Sequence, residues 1–186
     1  MRINALLPFG LLFLFLLNGT AVTLLMLLAA TLHEAGHITA AISLGAKIRR
    51  FDVELWGGKI IYGGNLSYRD EAVIALSGIA LNLLTFATAF LLVGDSSLGL
   101  FFALANLAFA VLNLLPIKTL DGYVALNACL YAVTEQEKAD SALKGLNSAF
   151  MLILCAAICC LVPLSGFNSS VLFLSFLTIT LFLERN

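Results

Sequence analysis

The stretch TLHEAGHITA, residues 31–40, is the most informative part of this sequence because it puts one carboxylate and two imidazoles inside a long apolar run. The preceding residues, 20–32, contain no charged side chain. A charge near the middle of a bilayer costs at least about 2.5–3.5 kcal/mol on insertion scales. A strong partner must offset that cost, and its nature indicates the function.

His33 and His37 are four residues apart, so on a helix they share one face about one turn apart. This is the spacing at which two imidazoles hold one metal ion, with Glu34 beside them as a general base. The chain has two histidines in total, and both bracket this glutamate. The alternative is a polar packing cluster that is hydrogen-bonded to neighbouring helices.

The composition is typical of a polytopic membrane protein. Hydrophobic residues make up 61% of the 186 residues and charged residues 11%, against about 25% charged in a soluble domain. The net charge of -1 gives no indication of nucleic-acid binding. The four cysteines lie in apolar surroundings without zinc-ribbon or disulfide spacing, and we interpret them as small membrane hydrophobes.

Six apolar stretches predict an all-α fold with about six transmembrane helices in a single membrane-embedded domain, residues 1–186, without an appended regulatory domain. The stretches are 3–17, 20–45, 72–93, 98–115, 148–163 and 170–183. With both termini in the cytoplasm, all ten Lys and Arg residues lie on the inner side, as the positive-inside rule favours. Thr134 and Glu137 have capping-box spacing, which predicts a helix that starts there and continues into the fifth stretch.

The polar segment after the second stretch predicts a small membrane-associated β-hairpin at 50–62. Phe51, Val53 and Leu55 alternate with polar or aromatic residues, and Gly57-Gly58 is typical of a two-residue turn. An edge strand near the metal could hold an unwound substrate by β-addition. A plain cytoplasmic connector is the alternative.

A catalytic zinc usually has three protein ligands and one open position. Most of the other acidic residues lie in charged, solvated runs, but Asp121 lies between apolar stretches just past the inner end of the fourth one. Asp121 is therefore our candidate for the third ligand. The alternative is that it only caps the helix beginning at Tyr123.

Three motifs together resemble the site-2 protease family of intramembrane zinc metalloproteases: HEAGH in a membrane helix, Asn113-x-x-Pro116, and Leu120-Asp121-Gly122. The segments RRFDVELWGGK and SGIALN are similar to the hairpin and the third helix of that family. The resemblance covers nearly the whole chain and is nearest to the six-helix, sporulation-type members that process a pro-sigma factor.

The resemblance implies that His33, His37 and Asp121 bind one Zn²⁺ per chain and that Glu34 activates water. Asn113 would contact the oxyanion or the substrate backbone, with a packing or helix-end role as the alternative. Phe51, Val53, Leu55 and Pro116 are the expected substrate-binding residues. Three positions depart from the family pattern without removing a ligand: Thr119 and Ile79 replace common prolines, and Tyr123 replaces a glycine.

We therefore expect an intramembrane zinc endopeptidase that cleaves a membrane-associated or transmembrane protein near the cytoplasmic face of a bacterial cytoplasmic membrane. A pro-sigma or anti-sigma factor is the expected type of substrate, and membrane regulatory proteins are further expected partners. Two alternatives belong to other classes: a zinc or proton transporter, and an inactive relative that binds membrane partners. Transport would survive Glu34→Gln far more readily than proteolysis.

Overall fold

The computed structural model describes the backbone of residues 7–54 and 57–164 and the side chains of residues 19–50, 61–161, 163 and 164. Within these ranges the fold is mostly helical, with one small antiparallel sheet. The elements in chain order are α1 (Leu7–Ser43), β1 (Lys47–Glu54), β2 (Gly57–Gly63), α2 (Tyr68–Val93), α3 (Ser97–Asn113), α4 (Asp121–Val133) and α5 (Gln136–Leu164).

The helix α1 is broken at Gly19, where φ is 75° and ψ is 175°. Residues with a Cβ rarely adopt this backbone conformation, whereas glycine adopts it without a steric penalty. The break separates the first predicted apolar stretch from the second. The chain enters its histidine-bearing helix at this point.

Three helices in the described part of the chain are long and apolar enough to cross a membrane: Gly19–Ser43, Tyr68–Val93 and Gln136–Leu161. They match the second, third and fifth predicted stretches. The fourth stretch corresponds to α3, an apolar helix of 17 residues. The first stretch lies only partly within the described residues and the sixth, 170–183, lies outside them, so the count of six spans stays a prediction.

The helix α2 packs against α1, α3 and α4, and therefore occupies the middle of the described bundle. Its buried face consists mostly of small or β-branched residues, which allow neighbouring helices to approach closely. These residues are Ala72, Ile74, Ala75, Gly78, Ile79, Asn82 and Ala89. The metal-site histidines of α1 pack against this face.

The hairpin is present, but the predicted turn is wrong. Glu54 pairs with Gly57 and Val53 pairs with Gly58, so both glycines belong to β2 and do not form the turn. Lys47 pairs with Gly63 at the base of the hairpin, and a bulge between Ile48 and Arg50 shifts the register by one residue. The predicted helix that continues into the fifth stretch is confirmed, because α5 begins at Gln136 and continues through residues 148–163. Thr134 is the C-cap of α4, and the helix starts two residues after it.

Candidate metal centre

The two histidines of α1 face each other in the buried interior of the bundle. Their side chains are nearly inaccessible, and their Nε2 atoms are 3.1 Å apart. The ring centroids are 4.7 Å apart with an interplanar angle of 88°. One helical turn thus brings two imidazole nitrogens to a common point, as the spacing predicts.

Two glycines allow α1 and α2 to cross closely enough to enclose these rings. A Cβ on Gly36 would lie 2.7 Å from the carbonyl oxygen of Ser77 and 2.8 Å from the Cα of Gly78. A Cβ on Gly78 would lie 2.5 Å from Nε2 of His37 and 2.9 Å from Cε1 of His33. Any larger residue at either position would have to separate the helices or displace an imidazole.

The backbone of α2 fixes the orientation of His37. Its Nδ1–H donates a hydrogen bond of 2.8 Å to the carbonyl oxygen of Ile74, which is fully buried. With the proton on Nδ1, Nε2 carries a lone pair that points toward His33. Ligating histidines commonly have this arrangement, in which the ring nitrogen that does not bind metal donates to a carbonyl.

Asp121 supplies the third donor from the first residue of α4. Its Oδ2 lies 2.7 Å from Nε2 of His33 and 3.2 Å from Nε2 of His37. The residue before the helix, Leu120, has no side-chain capping bond. The short distances show that the carboxylate points at the histidines. A role as a helix cap alone is therefore not needed to explain the position of Asp121.

The histidines also keep Asp121 ionised. Burial alone would raise the pKa of this carboxyl group, but the hydrogen bonds and charges of His33 and His37 outweigh it, and the pKa lies below its usual value. An ionised carboxylate is the form that binds a metal ion. With both imidazoles neutral, as metal binding requires, the ionised carboxylate gives the donor set a net charge of -1, which favours a cation at its centre.

The segment before Asp121 is held by α5. The backbone N–H of Lys118 donates a 3.0 Å hydrogen bond to Oδ1 of Asn147, whose side chain is buried. Ile117 and Leu120 pack with Met151 in a small apolar cluster. These contacts fix the loop that carries the carboxylate toward α1.

The geometry of the three donor atoms fits a tetrahedral metal such as zinc. Zinc bonds of about 2.0–2.2 Å separate tetrahedral ligand atoms by about 3.3–3.5 Å. The observed separations of 2.7, 3.1 and 3.2 Å are close to this range, so small side-chain adjustments would suffice. Among the described residues, His33, His37 and Asp121 are the group of His, Cys, Asp or Glu residues that could hold such an ion.

The other predicted catalytic residues have less direct relations to this centre. Glu34 is half-buried and interacts electrostatically with His37. Asn113 is half-buried and donates a 3.0 Å hydrogen bond from Nδ2 to the carbonyl oxygen of Phe109 within its own helix. The catalytic roles of Glu34 and Asn113 and the substrate-binding role of half-buried Pro116 stay predictions.

The hairpin packs against α1, the helix that carries the two histidines. Burial raises the pKa of Tyr62 in β2, and the negative charges of Asp121 and Glu71 raise it further. Phe51 and Val53 lie in β1, opposite Ile60 and Gly58, but their side chains are outside the described part, as is all of Leu55.

Sequence reasoning missed three residues that shape the centre: Gly78, Ile74 and Asn147. Gly78 had a local signal, since a glycine inside an apolar helix often marks a close helix contact. Ile74 and Asn147 had no such signal. Ile74 accepts a hydrogen bond through its backbone carbonyl, and Asn147 bonds to the backbone of Lys118, 29 residues away.

The fold and the donor set together define a helical membrane protein with a buried centre of two histidines and one aspartate. The fold is similar to that of the solved structure of a site-2 protease from Methanocaldococcus jannaschii, with a TM-score of 0.66 and 20% sequence identity. The match covers 94% of this chain and 85% of that chain. No family model matches this chain, and no curated protein matches it. The likeness establishes the fold.

Proposed function

We propose that this protein is an intramembrane zinc endopeptidase of the site-2 protease type. The observation that carries the proposal is the convergence of His33 Nε2, His37 Nε2 and Asp121 Oδ2 within a helical membrane bundle. The similar fold of a solved site-2 protease supports it independently. One Zn²⁺ per chain would be held by these three residues.

The chain's own groups account for the remaining chemistry. Bound zinc would supply a water that ionises near neutral pH and would polarise the scissile carbonyl. Glu34 would take the proton of the attacking water and deliver it to the leaving amine. Its electrostatic interaction with His37 supports this assignment, because a base must lie beside the metal ligands to act.

The proposed substrate is a membrane-associated or transmembrane protein, cut near the cytoplasmic face. The donor residues support a site in the inner half of the bundle: His37 lies six residues before the end of α1, and Asp121 begins α4. With both termini in the cytoplasm of a bacterial cell, these ends face inward. A pro-sigma or anti-sigma factor is the substrate type that the sequence resemblance favours.

The hairpin is the proposed substrate-binding element. A helix cannot be hydrolysed until its carbonyls are released from their hydrogen bonds, and unwound backbone in a membrane needs new partners. A strand edge at β1 would provide them by β-addition. The packing of both strands against α1, which carries the two histidines, supports this role. In this proposal Phe51, Val53, Leu55 and Pro116 contact the substrate, and Asn113 contacts its backbone or the oxyanion.

The test is co-reconstitution of the protein in liposomes with candidate single-span or amphipathic substrates. We expect Glu34→Gln to retain zinc but to lose at least 100-fold in cleavage rate, because it removes the general base and no ligand. Glu135→Gln is the matched control, since Glu135 is exposed and pairs with Lys138 on the surface. Cleavage by Glu34→Gln near the wild-type rate, or zinc transport that Glu34→Gln leaves intact, would refute the proposal.

A further inference from the structure

The interior of the bundle contains an amide that no described side chain or backbone group satisfies. Asn82 on α2 is fully buried, and neither its Oδ1 nor its Nδ2 has a hydrogen-bond partner within residues 7–54 and 57–164. Asn82 lies in a membrane-spanning helix, where an unpaired amide is costly. Such a group indicates a bound ligand that can donate and accept hydrogen bonds.

His33 also has a buried polar atom without a hydrogen-bond partner among the described residues. Its Nδ1 is buried and has no partner in the described part of the chain, whereas Nδ1 of His37 donates to Ile74. When Nε2 of a histidine binds metal, Nδ1 carries the proton and almost always donates it to a carboxylate, a carbonyl or a water. Of the two ligating histidines, His33 is therefore the one whose orientation is not yet accounted for.

The helix geometry brings these two residues to the same region. The position that a Cβ of Gly78 would occupy is 2.9 Å from Cε1 of His33, the ring atom between Nδ1 and Nε2, so this ring lies against α2. Asn82 is one turn further along the same face of α2, about 6 Å along the helix axis. Side chains tilt toward the N-terminus of their helix, so His33 tilts along antiparallel α2 in the direction of Asn82.

A second buried amide lies at nearly the same depth on α3. Asn106 is fully buried; its Nδ2 donates to the carbonyl oxygen of Phe102, but its Oδ1 has no partner among the described residues. Asn82 lies 11 residues before the end of α2 and Asn106 lies 9 after the start of α3, so their depths differ by about 3 Å. Ala29 of α1 and Ala103 of α3, both fully buried, keep the neighbouring positions small.

We propose that His33, Asn82 and Asn106 form a binding site for internal water, and that Asn82 positions His33 through it. Nδ1–H of His33 and Nδ2–H of Asn82 donate, whereas Oδ1 of Asn82 and Oδ1 of Asn106 accept. Water complements this set because it donates and accepts at one centre. The inference rests on the proposed zinc centre and extends it, since a fixed His33 is a better ligand.

Solid-state NMR tests the water directly. The chain contains two histidines, so ¹⁵N-histidine labelling of the zinc-loaded protein in liposomes gives signals from these two rings alone. We expect a cross-peak between water protons and Nδ1 of His33, and none at Nδ1 of His37, which donates to Ile74. Absence of the His33 cross-peak in the wild-type protein would overturn the proposal without any variant.

Metal affinity tests the positioning role. Asn82→Leu keeps the approximate shape but removes both polar atoms, and we expect zinc affinity to fall 10–100-fold and the water cross-peak to disappear. Leu83→Ala is the control on the adjacent, exposed side chain. Zinc affinity and a cross-peak that both survive in Asn82→Leu would overturn the assignment. Neither measurement uses a substrate, so an Asn82-dependent zinc site without proteolysis would refute the proposed function and leave this inference standing.

Discussion

Gly78 lies against the imidazole of His37, on the side of the ring that carries Nε2. The absent side chain of one residue thus makes room for the imidazole of another, on a different helix. The packing of the two helices and the position of a proposed zinc ligand consequently depend on the same contact. This contact gives the sharpest test of the centre.

Gly78→Ala should disrupt the zinc site while leaving the helix intact. The new Cβ would lie 2.5 Å from Nε2 and 2.6 Å from Cε1 of His37, so the ring must move. We expect at least a tenfold loss of zinc affinity, measured by chelator competition. Gly145→Ala is the matched control, because a Cβ there has no neighbour within 4 Å and alanine favours the helix. Equal affinities in the two variants would contradict the packing described here.

Asp121→Ala should abolish stoichiometric zinc binding, and Asp121→Asn should weaken it strongly. The asparagine keeps the shape of the side chain but removes the negative charge that lies 2.7 Å from Nε2 of His33. Metal analysis of the purified variants gives the stoichiometry. Asp95→Asn, in an exposed loop between α2 and α3, should bind one zinc like the wild type. One zinc per chain in Asp121→Ala would exclude this residue as the third ligand.

Asn147→Leu should weaken zinc binding from a distance. The substitution removes the acceptor for the backbone N–H of Lys118, a partly buried hydrogen bond whose net contribution is about 0.5–1.5 kcal/mol. The loop before Asp121 would shift, and we expect a severalfold loss of zinc affinity together with a lower Tm. Leu146→Ala, at the neighbouring exposed position, is the control. A lower Tm without any change in affinity would mean that Asn147 supports α5 alone.

Val53→Pro should separate substrate binding from metal binding. Proline removes a backbone donor from β1 and is poorly tolerated within a sheet. We expect cleavage to fall sharply while zinc content and expression hold. Val53→Thr, which keeps the donor and the β-branched shape, should cleave normally. Full activity of Val53→Pro would show that the hairpin only connects two helices and does not bind the substrate.

Reporter insertions should determine the orientation. A reporter at Ser96, between α2 and α3, should read outside, and one at Gln136, at the start of α5, should read inside. A reporter at Asn168 should again read outside. A cytoplasmic signal from Ser96 would reverse the proposed topology and put the metal centre at the other face.

The parts of the centre that depend on local spacing could be predicted from the sequence. His33 and His37 share a helix face because they are four residues apart, and the structure confirms their contact. Asp121 is 88 residues from His33, so only its apolar flanks and the motif resemblance indicated it. No comparable signal could reveal that a carbonyl at Ile74 orients His37.

The hairpin shows where local signals mislead. Gly57-Gly58 is a favourable turn sequence, but Lys47 pairs with Gly63 at the opposite end of the hairpin. The bulge after Ile48 then brings Glu54 opposite Gly57. The observed register therefore does not follow the turn propensity of the two glycines.

The donor set joins α1 to α4 across a sequence separation of 88 residues. A metal ion bound there acts as a cross-link, and a ligand that binds only the folded state stabilises it by mass action. In the proposed zinc enzyme, a newly inserted chain would stay easier to unfold and degrade until it acquires its ion. The zinc supply of the cell would then control how long each molecule survives in the membrane, in addition to how fast it works.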